Sequence, residues 1–197
     1  MEPKTASTAY PIHELANRRW SPVAFGDRPV ARETVGSLVE AARWAASCFN
    51  EQPWAFFVAH REDSATFEKL ASCLVPGNDW AKSAPVLMLS VASGTFARND
   101  KPNRHAWHDV GLATGQLMLE AVAHGLHTHA MAGFDAEHAV KTLGIPDGWD
   151  PVAMLAVGYH DVTDKTPEQL KQRDAASRAR KDLGSFVFGA QWGQAAL

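Results

Sequence analysis

Four apolar stretches of strand length, set apart by stretches of helical periodicity, predict a mixed α/β layer fold. Two further observations support it. The 197 residues suffice for one domain, spanning 1–197, with a full core. The run "WHDVGLATGQLMLEAVAH" is apolar nearly all round, as a helix must be when it lies in the middle of a fold or in an interface.

Taken in order, "IHELANRR" reads as a first helix, and "WSPVAFGDRPV" breaks regular structure with two Pro and one Gly. A helix follows over about 32–47, where Val35, Leu38, Val39 and Ala42 recur at helical spacing opposite Glu40 and Arg43. "AFFVA" begins a buried strand at about 55–60, "SATFEKLASCL" a helix that "VPGND" ends, and "APVLMLSVAS" a second buried strand. "GTFARNDKPNRH" is polar and reads as a loop over a site. The central helix carries Gly111 and Gly115, four apart, where another backbone can approach closely. "HTHAMAG" is the third strand, "DAEHAVKTLG" a helix and "PVAMLAVGY" the fourth strand. The charged stretch "PEQLKQRDAASRARK" reads as a last helix, and the tail "SFVFGAQWGQAAL" is too aromatic to stay exposed, so it is expected to dock.

A net charge of -3 without a basic run gives no reason to expect nucleic acid or an anionic membrane surface as partner. No apolar stretch approaches bilayer length, and "MEPKTASTAYPIHEL" lacks the apolar core of a secretory signal. Cys48 and Cys73, without a framework spacing, suggest a reducing, cytoplasmic compartment. His105 and His108, and the run of His124, His127 and His129, invite a metal reading. The second run straddles a Gly-marked helix end, and no third ligand stands at zinc spacing, so no metal is expected. Cys48 has no local base to activate it, and no dinucleotide or Walker fingerprint is present.

Two features ask for a chemical role. The helix-to-strand junction "SCFNEQPW" carries two amides, a Pro and a Trp where a mere turn favours Gly, Asp or Ser. "RRWS" (Arg18, Arg19, Ser21) and "SRARK" (Arg178, Arg180, Lys181) together offer guanidinium forks and a hydroxyl suited to phosphate oxygens.

The ordered set "RRWSPVAF", "RPVARETVGSLVEAARWAASCFNEQPWAFFVA", "APVLMLSVA", "HDVGLATGQLMLEAVAHGL", "MAGFD", "IPDGWDPVAMLAVGY" and "RARK" resembles the FMN-dependent nitroreductase family over nearly the whole chain. The resemblance implies an α+β, nitroreductase-like fold, with a central mixed β-sheet flanked by helices, and an intertwined homodimer with FMN at its interface. It implies NAD(P)H as co-substrate and a small-molecule acceptor, a nitroaromatic or quinone, reduced by a ping-pong mechanism. A branch reducing an unsaturated or aldehyde metabolite, or a flavin binder without turnover, stays open. Arg19 and Ser21 match the family's R-x-S motif at the phosphate end, with Arg18 beside it. Ala46, Ser47, Cys48 and Asn50 match the junction that reaches across the dimer to the flavin, its turn held by Gln52, Pro53 and Trp54. Met131, Ala132 and Gly133 match the turn near the reactive N5 atom, where Gly133 lets the ring approach. Arg178 and Arg180 match the late phosphate contact, with Lys181 a neighbour, and Asn78 matches an Asn at the pyrimidine edge. Two departures stand out. Val23 replaces a basic residue that places charge near N1 and O2, and Ala46 replaces a Pro. No side chain is nominated as an acid or base.

Overall fold

The computed structural model describes residues 4–197. Its centre is a four-stranded sheet of β1 (Trp54–His60), β2 (Val86–Ser93), β3 (His127–Met131) and β4 (Trp149–Gly158), in the order β1-β2-β4-β3. Every neighbouring pair is antiparallel, so the α+β class holds while the expected mixing of strand directions is absent from these four strands.

Alternation along β2 and β4 sorts the core into two layers. Val86, Met88, Leu155 and Val157 face helices α2 (Arg32–Arg43) and α4 (Ala106–Ala123), where they pack with Val35, Leu38, Ala113 and Leu117. Leu87, Leu89, Met154 and Ala156 face the opposite layer of α3 (Ser64–Ala71) and α5 (Ala136–Leu143), with Phe67, Leu70 and Ala139. The helix starts follow local chemistry. Asp63 caps α3 through Thr66 N, Asp135 caps α5 through His138 N, and Gly144 at φ 66° ends α5 in the left-handed conformation.

Four elements differ from the sequence expectation. Helix α2 stops at Arg43 rather than near 47, because Trp44 leaves helical geometry and Ser47 is extended. "VPGND" does not simply break the chain. Pro76, fixed in φ, opens a 3-10 run from Pro76 to Ser83. Helix α6 (Glu168–Ala175) ends six residues short of Lys181; its only buried residue is Asp174, so no apolar stripe sustains it. The aromatic tail folds on itself, with a bridge between Phe188 and Ala195, and leaves Phe186 and Trp192 exposed rather than docked.

Helix α4 buries Ala106, Val110, Ala113, Leu117 and Ala121, but it is not covered all round. Trp107 and Leu112 are exposed, and a side chain built at Gly111 or Gly115 would meet nothing within 4 Å. The close backbone approach those glycines allow is therefore not used within one chain. No helix among the described residues is long and apolar enough to cross a membrane.

Candidate functional site

The "RRWS" and "RARK" clusters, about 160 positions apart in the sequence, meet in space. Arg19, Arg178 and Arg180 line one cavity of about 240 Å³. Arg178, Arg180 and Lys181 also line an adjoining cavity of about 840 Å³ bordered by Tyr10 and Phe186. Arg19 Nη1 donates to Ser21 Oγ at 3.1 Å, which fixes the two motif side chains together. Burial, then the charges of Arg178 and Arg180, lower the Arg19 pKa. Burial, then Arg180, lowers that of Arg178. None of the three forms an ion pair with a carboxylate among the described residues. Three like charges held together without a counter-ion make a site complementary to a polyanionic group such as a phosphate.

The members differ in what they have to offer. Arg178 spends its Nη1 on the carbonyls of Lys4 and Asn17 and its Nη2 on that of Arg19, at 2.7 to 2.9 Å. It contributes charge while clamping the segment that carries Arg19. Arg180 is exposed and bonds only the adjacent Ala179 carbonyl, so it remains free to turn to a ligand. Arg18 is spent on Glu14 at 3.0 Å and does not join the group.

The chain after Ser21 is fixed from below by Asp174. Its buried carboxylate accepts from Val23 N at 2.9 Å and Ala24 N at 3.0 Å, and His160 Nε2 lies 3.2 Å from it. Burial pushes the Asp174 pKa up, but His160 and the two backbone donors outweigh it and hold the carboxyl below its usual value. Val23 is itself 2% exposed. Position 23, where the resemblance implies a basic residue, is therefore buried within this chain.

Strand β3 runs beside this segment. His127 meets Trp20 edge-on with ring centroids 5.5 Å apart, and His129 Nδ1 lies 2.7 Å from the Pro22 carbonyl. The two imidazoles share one face of β3 and pack on protein. Burial, with help from His160 and Arg18, lowers the His127 pKa to about 4. His124, on the helix end, instead pairs with Glu120. Among the described residues, no group of three or more His, Cys, Asp or Glu is placed to hold a metal.

From His127, β3 leads in four steps, about 13 Å, to the Met131–Gly133 turn. Asn78, from the 3-10 run, donates Nδ2 to the Gly133 carbonyl at 2.8 Å and accepts from Trp80 Nε1 at 3.2 Å. A Cβ at 133 would lie 2.6 Å from Asn78 Nδ2, so the neighbour that calls for glycine is this amide. With both ends of its amide engaged, Asn78 shapes the turn.

The junction lies elsewhere. Cys48 N donates to Asp109 Oδ2 at 2.9 Å, from a carboxylate buried on α4, and Ser47 Oγ accepts from Gln52 N at 2.9 Å. Phe49, Asn50 and Gln52 all have φ between 54° and 56°, a conformation that non-glycine residues adopt at a cost. Ala46, Phe49 and Asn50 are exposed. Neither cavity lined by the arginines includes any of residues 46–52. Across the 12 residues of α2, roughly 18 Å separate the two motifs along that helix.

Sequence reasoning missed Asp174, His160, Asp109 and the clamping role of Arg178. No local pattern marks them: Asp174, Asp109 and Arg178 find their partners 61 to 174 positions away, and His160 stands 14 positions before Asp174, beyond any single helical or strand repeat.

Comparison with known proteins places these motifs in context. The model of the nitroreductase family matches residues 16–76 and 74–159. An uncharacterised 15.4 kDa protein from Mycolicibacterium smegmatis is 38% identical over 128 residues, 65% of this chain and 85% of that protein. An oxygen-insensitive NAD(P)H nitroreductase from Salmonella typhimurium is 26% identical, covering 78% of this chain and 90% of the relative. Among solved structures, an oxidoreductase described as containing FMN superposes with a TM-score of 0.88 at 32% identity, covering 94% of this chain and 95% of its own.

Proposed function

The chain belongs to the nitroreductase family, and on that premise we propose that it is one FMN-binding domain working as an NAD(P)H-dependent oxidoreductase. The acceptors are nitroaromatics, quinones or related compounds, taken in a ping-pong sequence. The active form is a homodimer with FMN at the interface. The named relatives and the FMN-containing structural neighbour support the cofactor and the reductant. The observation that carries the reading is the convergence of Arg19, Arg178 and Arg180 with no carboxylate among them.

The residues present fit FMN. Arg19, Ser21 and Arg180 would hold the phosphate, with Arg178 adding charge while it fixes their backbone. The Met131–Gly133 turn, shaped by Asn78, would flank the ring. Ser47, Cys48 and Asn50 of the other subunit would close over it, which accounts for a junction set apart from the arginines within one chain. The exposed strip of Trp107, Gly111, Leu112 and Gly115 on α4, and the uncovered aromatic tail, supply apolar surface for that dimer. Bound there, FMN would supply the redox chemistry between NAD(P)H and the acceptor. The protein's part is grip, orientation and exclusion of water, with no side chain required as acid or base. A cytoplasmic location completes the reading, supported by the free Cys48 and Cys73.

Titration of the apoprotein with FMN and with riboflavin tests the phosphate grip. FMN should bind far more tightly, and Arg19→Ala should remove about 1.5–3 kcal/mol of FMN affinity, the worth of a charge-assisted bond, without changing riboflavin binding. Equal affinity for the two flavins would overturn the assignment.

A further inference from the structure

The loop between β2 and α4, residues 94–105, is tied to the junction at 47–52 rather than hanging free. Ala97 N donates to Glu51 Oε1 at 2.6 Å, and Phe96 meets Phe49 edge-to-face with centroids 6.1 Å apart. The loop closes on itself through Phe96 N to the Lys101 carbonyl and Asn103 N to the Gly94 carbonyl. Over this joint lies Arg98. Its guanidinium carbon is 4.1 Å from the centroid of Phe49 and 5.3 Å from that of Phe96. Phe49 is 73% exposed even so, held outward by a left-handed backbone at φ 55°.

An exposed phenylalanine in a costly conformation, carrying a guanidinium on its face, does nothing for the core of this chain. It has the character of a ligand clamp, where such strain concentrates. A guanidinium stacked on rings keeps its in-plane N–H groups free, and these match a carboxylate in bidentate fashion. Among the described residues Arg98 has no carboxylate partner. The loop carries Arg98, Lys101 and Arg104 against the single carboxylate of Asp100, in a chain of net charge -3.

We propose that Phe49, Phe96 and Arg98 form the recognition site for the electron acceptor and select an aromatic acceptor bearing a carboxylate. The acceptor's ring lies on the Phe49 side and its carboxylate on Arg98. This rests on the reading that the junction at 47–52 borders the FMN.

The test uses the FMN-loaded enzyme with matched ligands differing in charge alone: benzoate and benzamide for binding, 4-nitrobenzoate and 4-nitrobenzamide for reoxidation of the reduced flavin in stopped flow, free of NAD(P)H. Benzoate should bind about threefold to fivefold more tightly than benzamide by calorimetry, the share of a charge-assisted bond that survives at an exposed site. 4-Nitrobenzoate should reoxidise the flavin faster than the amide by a similar factor. Arg98→Gln should abolish both preferences, and Arg98→Lys should restore part of each. No charge preference in the wild type, or a preference that Arg98→Gln leaves intact, would overturn the inference. Protein that holds no FMN, or whose FMN is not reduced by NAD(P)H, would overturn the underlying reading and this inference with it. Protein that binds and reduces FMN but treats both members of each pair alike overturns this inference only.

Discussion

Replacing Asp174 tests the clamp beneath the phosphate site. Asp174→Ala removes the acceptors of Val23 N and Ala24 N, and both residues are at most 3% exposed. Each orphaned buried N–H costs about 1–3 kcal/mol, so the variant should lose about 2–6 kcal/mol, a large share of the roughly 5–15 kcal/mol typical of a domain. At about 2–4 °C per kcal/mol for a chain of this size, the melting temperature should fall by roughly 4–24 °C. Asp174→Asn keeps one acceptor and should lose about half as much. The pH dependence has a definite sign. The folded pKa lies below the ordinary value, so the stabilisation is complete above the unfolded pKa of about 3.9 and disappears as pH falls through the folded pKa. Calorimetry of wild type and Asp174→Asn at several pH values should show the gap closing in that acid range. FMN affinity should fall in parallel, since the segment carrying Arg19 and Ser21 is loosened. An Asp174→Ala protein that melts within 2 °C of wild type would refute the reasoning, 2 °C being about 1 kcal/mol or less at this size.

Arg180 is exposed and bonds only its neighbour, so Arg180→Ala should weaken FMN binding by about 1.5–3 kcal/mol in a fluorescence titration while leaving the melting temperature unchanged. His127, neutral when folded with a pKa near 4, opposes acidification: between pH 7.5 and 5 denaturant melts should show about 2 kcal/mol of lost stability from this group, and His127→Gln should flatten that slope. If the site is shared across the dimer, pure heterodimers of Arg19→Ala and Asn50→Ala subunits should recover about half of wild-type activity, one of two sites being intact; heterodimers as inactive as either parent would place both residues in one chain's site.

Much of the fold was legible because its signals are local. The continuous apolar runs of β2 and β4 appear in the structure as strands buried on both faces, and the helical spacing of Val35, Leu38 and Ala42 as a helix face packed on one of them. Strand direction was not legible, since pairing β2 with β4 depends on residues 56 to 71 positions apart. The end of α6 was misread because charge pattern alone does not show that Arg178 is drawn away to three backbone carbonyls. At the candidate site, the meeting of "RRWS" with "RARK" followed from motif chemistry, but the division of labour among the arginines did not. Arg18, which stands beside the R-x-S motif in sequence, is spent on Glu14. Gly133 was expected to make room for a ring, and sequence gave no sign that the Asn78 amide also packs against it. Val23 was read as replacing a basic residue near the flavin, and its burial within the chain was not legible. The Gly133–Asn78 contact and the burial of Val23 depend on segments far apart in sequence, whereas the Arg18–Glu14 pair is local and lies at helical i,i+4 spacing.

The central claim is that this chain binds FMN and passes electrons from NAD(P)H through it. The direct measurement is the visible spectrum of the FMN-reconstituted protein, recorded under anaerobic conditions before and after one equivalent of NADH or NADPH. The account predicts that the flavin's long-wavelength band bleaches on mixing and returns when a nitroaromatic or quinone is added. A reconstituted protein whose flavin stays oxidised with both nucleotides, or an apoprotein that takes up no FMN, would contradict it.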